Sequence, residues 1–146
     1  MGGKMVLDNA AIASAFFEDA VLIGIQCPTE PHTFTWRVNR HTGVAFTYLM
    51  QAEIRMVAKG RHYTYPVYEY REPRIDLHHL LYVNTQDGKH LLPELKHIDY
   101  LWLLRGGGKQ NAFAASLIPV LRQLDQVQLV MELTNEKIKN KEHLIF

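Results

Sequence analysis

The sequence predicts one α+β domain over residues 1–146, a mostly antiparallel sheet of about five to six strands packed against about two to four helices. Three observations lead there. Short apolar runs of strand length recur along the chain, Lys59-Gly60 and Asp87-Gly88 offer tight turns between them, and the segments after Pro31 and Asn111 carry apolar residues at helical spacing. At 146 residues and 47% hydrophobic, the chain has the length and composition of a single domain with a core of its own.

Residues 6–17 place Leu7, Ala11, Ala15 and Phe16 at helical spacing and predict a short helix. Residues 20–27 are almost unbroken apolar and close at Pro28, the pattern of an interior strand covered on both faces. From Pro31 the Phe34 and Val38 pair, the late Arg40 and His41 and the following Gly43 favour a helix over a strand. A strand is expected near 53–57. After the turn comes a single aromatic strand over 61–70, then a strand over 76–84 and the Asp87-Gly88 hairpin. Residues 98–105 alternate, with Ile98, Tyr100, Trp102 and Leu104 on one face and Asp99, Leu101, Leu103 and Arg105 on the other. Beyond Gly106-Gly107-Gly108, Asn111 is placed to cap a helix reaching about Leu124, which Pro119 is expected to kink. A last strand over 127–133 and a short terminal helix capped by Thr134 or Asn135 complete the expectation.

Sixteen Lys and Arg stand against 15 Asp and Glu, evenly divided between the two halves of the chain. Such near-neutrality argues against a dedicated DNA binder, whose affinity comes mostly from neutralising phosphates. The lone Cys27 supports neither a disulfide framework nor a multi-cysteine zinc site, and a reducing cytoplasm suits it. Asp8 and Asn9 interrupt what a signal peptide would need as its apolar stretch, and no run approaches the roughly 18 apolar residues of a membrane span. No membrane association is expected.

Chemistry-bearing patterns are few. Arg105-Gly106-Gly107-Gly108-Lys109 is a glycine-rich turn before a helix, a place where backbone N–H groups can face a phosphate. It fails the Walker pattern, because Leu103 stands at the first glycine and Gln110 at the hydroxyl position. His78 and His79 are neighbours in a strand and point to opposite faces; His90 and His97 lack a framework that would hold an ion, so no metal and no cofactor is expected. Cys27 has no basic neighbour in sequence to activate it and reads as a structural thiol. The span from Arg55 to Arg74 holds five basic and two acidic residues. As one strand, its Arg61, Tyr63 and Tyr65 would share a face, with Tyr68, Tyr70 and Arg71 following, either to stack single-stranded nucleic acid or to form a subunit interface.

The segment Leu92-Pro93-Glu94-Leu95-Lys96-His97-Ile98-Asp99-Tyr100 resembles the motif that names the IPExxxVDY family, small proteins of Bacteroidetes without an assigned activity. Pro93, Glu94, Asp99 and Tyr100 match it, while Leu92 and Ile98 replace an isoleucine and a valine. The resemblance extends through Val21-Leu22-Ile23-Gly24-Ile25, Trp36 and Gly43, Arg105-Gly106 and the ending Lys141-Glu142-His143-Leu144-Ile145-Phe146. It implies a family and no reaction. The residues themselves leave two roles for the motif: a polar latch that fixes strand register, with Asp99 paired to Arg105, Lys96 or a histidine, or a small acidic pocket in which Glu94 and Asp99 exchange protons. The leading expectation is a non-enzymatic cytoplasmic domain with a protein partner or self-association, using the strand of Tyr63 and Tyr70 as a dimer edge. Nucleic acid at Arg61 to Arg74 and an acid/base or small-molecule site at Glu94 and Asp99 are the alternatives.

Overall fold

The computed structural model describes residues 18–144, so the helix expected over 6–17 lies outside the described residues. The first strand is β1 (Ala20–Gln26), followed by helix α1 (Pro31–Thr42), β2 (Thr47–Tyr48), β3 (Ile54–Ala58), β4 (Arg61–Tyr65) and β5 (Val67–Arg71). Then come β6 (His78–Val83), β7 (Thr85–Gln86), β8 (Lys89–His90), β9 (Tyr100–Arg105), helix α2 (Gln110–Arg122) and β10 (Leu129–Leu133). Six strands make one antiparallel sheet in the order β10, β1, β9, β6, β5, β2, so the chain has the α+β architecture its sequence predicts.

Both faces of this sheet are covered. Val21, Ile23 and Ile25 of β1, with Leu81, Val83, Tyr100, Trp102 and Leu104, pack against Phe34 and Val38 of α1 and Ala114, Leu117 and Leu121 of α2. Leu22, Leu80, Tyr82, Leu101, Leu103 and Leu133 face the other way, beneath Tyr63 and Tyr65 of β4, Leu91, Leu92 and Ile98, and the C-terminal Ile138 and Leu144. Two buried faces require apolar residues at successive positions, which is why β1 reads as a run rather than an alternation. Each such buried aliphatic side chain contributes roughly 1.5–3 kcal/mol. Packing on this scale, rather than intrinsic propensity, holds the strands.

Several expected elements change form. The single aromatic strand over 61–70 is two strands in two sheets: β4 pairs only with β3, while β5 joins the main sheet between β6 and β2. Pro66 sits between them, and its missing N–H and fixed φ make it a natural break in a ladder. Asn111 does not cap helix α2 but lies inside it, since the helix begins at Gln110 after Lys109 at the cap position, and it runs through Pro119, which lies on its exposed side. In place of a terminal helix, two single helical turns stand at Asn135–Lys137 and Lys141–Leu144. The hairpin of β7 and β8 turns through Asp87 (φ 50°) and Gly88 (φ 79°), the paired positive φ values that an Asp-Gly sequence supplies.

Candidate functional site

Strand β9 organises the motif residues at one end and the glycine turn at the other. Asp99 precedes the strand, and its backbone N–H donates to the Ile25 carbonyl at 2.8 Å while its carbonyl accepts from the Asn84 N–H at 2.8 Å. Its carboxylate Oδ2 accepts the Cys27 backbone N–H at 2.7 Å. The neighbouring Tyr100 hydroxyl donates to the Thr29 carbonyl, and its ring stacks on Phe34 at 4.1 Å. Asp99 and Tyr100 together pin the segment that carries the chain from β1 into α1. Burial, outweighing the Cys27 N–H bond and the nearby His90, pushes the Asp99 carboxyl up from the ordinary carboxylate range.

Around these residues is a cleft of about 200 Å³ lined by Cys27, Thr29, Glu30, Thr85, Gln86 and Asp99, among others. Glu94 does not line it. The Glu94 carboxylate instead accepts the Lys139 N–H at 2.7 Å, the Asn140 N–H at 2.8 Å and the Asn140 side-chain amide at 2.7 Å, tying the motif to the C-terminal segment. Burial opposes its charge, but the Asn140 amide and the backbone N–H groups prevail and hold it below the ordinary range. The two carboxylates thus serve different segments, and the expected acidic pocket does not form as a shared cleft. Pro93 is exposed at the start of the same turn.

Arg105 ends β9, opposite His78 and Ala20, and therefore stands a strand's length from Asp99, about 20 Å at roughly 3.3 Å per residue. The expected Asp99 to Arg105 pairing is thereby excluded. The glycine turn lies at the Arg105 end, where the Gly106 N–H donates to the Asp19 carbonyl at 3.0 Å.

The aromatic residues disperse as the strand divides. Tyr63 and Tyr65 are buried in the core beneath the β3 and β4 hairpin, and Tyr68 and Tyr70 pack half-buried against the helix-side core. Arg61 lies 5.9 Å over the Tyr63 ring, while Arg71 is exposed on β5. Two of the four tyrosines are therefore withdrawn from any stacking platform, and β2 covers part of the β5 edge by pairing with it at Tyr68 and Glu69.

Two buried polar residues have structural roles: Asn84, which sequence reasoning passed over, and His79, which it weighed only as a metal ligand. Asn84 is fully buried; its Nδ2 donates to the Leu95 and Ile98 carbonyls and its Oδ1 accepts the Leu92 N–H, so one amide shapes the whole 91–98 turn. His79 is fully buried among Phe46, Tyr70, Trp102 and Phe113, and its Nδ1 accepts the Trp102 indole N–H at 3.1 Å. Burial, and then the adjacent His78, lower its pKa to about 4. His78 turns to the opposite face and meets Glu69 at 2.9 Å. The only advance signal for Asn84 was a polar residue directly after an apolar strand.

Among the described residues, no three His, Cys, Asp or Glu side chains converge as a metal ion would require, and no helix is long and apolar enough to cross a membrane. No family model, curated protein or solved structure matches the chain.

Proposed function

We propose that this chain is a non-enzymatic cytoplasmic domain that works by protein association, and that its contact surface is the helical layer. Membership of the IPExxxVDY family is part of the proposal and rests on Pro93, Glu94, Asp99 and Tyr100. One observation carries the reading: Trp36 on α1 is 58% exposed, held by the Arg40 guanidinium 5.3 Å from its ring. Tryptophan and arginine dominate the energetics of protein interfaces, whereas a large apolar ring left in water stabilises nothing. Its surroundings fit the same use. Helix α2 has no charged residue before Arg122, and Asn111, Ala112, Ala115, Ser116, Pro119 and Val120 are exposed along it. An open groove of about 560 Å³ runs past His41, Pro119, Val120 and Leu124. The motif supports the reading indirectly, since Asp99 and Glu94 are committed to backbone donors.

The test places a photo-crosslinking amino acid at position 36, at position 120, or at position 55 on the opposite face, in cells that make the protein. Association through the helices gives one discrete adduct, heteromeric or a dimer of this chain, at positions 36 and 120 and none at 55. Equal labelling at all three positions, or none at 36 and 120, overturns the proposal.

A further inference from the structure

The β7 and β8 hairpin and the turn that follows it border an open pocket of about 310 Å³ lined by Gly88, Lys89, His90, Pro93 and Lys96. Three of the five lining residues carry basic side chains, and none carries a carboxylate. From the sequence alone the opposite would be expected, because Asp87, Glu94 and Asp99 all lie within a few residues. The fold engages both motif carboxylates outside the lining: Glu94 is turned to the Lys139 and Asn140 donors, and Asp99, although His90 is near it, to the Cys27 N–H in the neighbouring cleft. Asp87 stays in the exposed hairpin turn outside the lining. Lys89 and Lys96 are exposed, and neither has a carboxylate partner within ion-pair distance among the described residues.

The walls of the pocket are fixed before any ligand arrives. Buried Asn84 bonds to both: its carbonyl accepts the Leu91 N–H just after β8, its Oδ1 accepts the Leu92 N–H, and its amide donates to the Leu95 and Ile98 carbonyls across the turn. Asp87 and Gly88 set the hairpin that presents Lys89. Strand β4 touches β7, and its hairpin adds the exposed Lys59, Arg61 and His62 on the same side of the sheet, Arg55 being paired with Glu53 at 3.8 Å. Two lysines on separate rigid walls, Lys89 on β8 and Lys96 on the turn, suit a doubly charged oxyanion, which can accept from both.

We infer that the pocket of Lys89, His90 and Lys96 binds the phosphate group of a phosphorylated ligand. It lies on the face of the sheet opposite the helices, so the inference stands or falls apart from the association surface. Two sources share this chemistry: a small phosphorylated molecule and the backbone of single-stranded RNA. The test uses pyrophosphate, followed by amide chemical shifts, and a labelled oligouridylate, followed by fluorescence anisotropy, both at low and at physiological salt. The variants are the double substitution Lys89→Gln with Lys96→Gln and, as a control outside the pocket, Lys109→Gln, each checked for an unchanged thermal midpoint. Saturable pyrophosphate binding with shifts centred on residues 88–96, at least tenfold weaker in the double variant and unchanged in the control, establishes the site. Parallel tenfold loss of oligouridylate binding assigns it to a nucleic-acid backbone; pyrophosphate binding alone assigns it to a small ligand. Absence of saturable binding by either probe, or equal weakening by Lys109→Gln, overturns the inference.

Discussion

His79 shows how a single side chain ties this fold to pH. The Trp102 N–H donates to Nδ1, which leaves the proton of the neutral ring on Nε2, 3.3 Å from a Glu72 carboxylate oxygen. Burial holds the ring neutral in the native state down to about pH 4, whereas the unfolded ring protonates near 6.5. A folded pKa below the unfolded one means that the unfolded chain takes up the proton first. Stability is therefore full above pH 6.5 and falls as pH drops from 6.5 toward 4, by about 2 kcal/mol at pH 5. Urea unfolding of the wild type and of His79→Gln at pH 7.5 and pH 5 should show this slope in the former and a much flatter one in the latter; equal slopes would refute it. None of this was legible beforehand, because a histidine in an apolar strand gives no sign of which indole or carboxylate will reach it. Asp99 and Glu94 were legible as polar groups needing partners. Their partners are backbone N–H groups and, for Glu94, the Asn140 side-chain amide, all far away in sequence, and no local pattern reveals those.

Local chemistry was a better guide to the elements than to the site. The helices after Pro31 and before Arg122, the hairpins at Lys59-Gly60 and Asp87-Gly88 and the long apolar strands all follow from periodicity and turn residues. The division at Pro66 escaped because β-rich composition continues across it, and only the ladder shows that the chain leaves one sheet for another. Gly106 to Gly108 look interchangeable in sequence and are not. Gly107 has φ +71°, and a Cβ there would collide with the Asp76 carbonyl oxygen; Gly108 has φ +66° and faces open space. Gly107→Ala is expected to cost about 2–4 kcal/mol, from backbone strain plus the collision, and Gly108→Ala only about 1 kcal/mol from strain. Thermal denaturation of the two variants provides the comparison, and equal losses would show that the contact with Asp76 yields freely.

At the scale of the molecule, stability is layered. Strands β1, β9 and β6 each pair on both sides and are buried on both faces, whereas β3 and β4 pair only with each other and rest on the sheet through Tyr63 and Tyr65. Amide hydrogen exchange should accordingly be slowest at Leu22–Ile25, Leu80–Tyr82 and Leu101–Leu104 and faster by a factor of about 100 or more at Ile54–Tyr65, a difference of about 3 kcal/mol in opening free energy. Uniform protection across both sheets would contradict this layering.

The strand order also dictates when the sheet can be completed. Strand β1 emerges from the ribosome well before both of its neighbours, Tyr100–Arg105 and Leu129–Leu133. Closing such distant pairs is slow, because the loop entropy must be lost before the contacts compensate for it. Throughout that interval the apolar run Ala20–Gln26 waits without either partner. This makes the nascent chain, more than the finished domain, the form most exposed to aggregation and most in need of a chaperone.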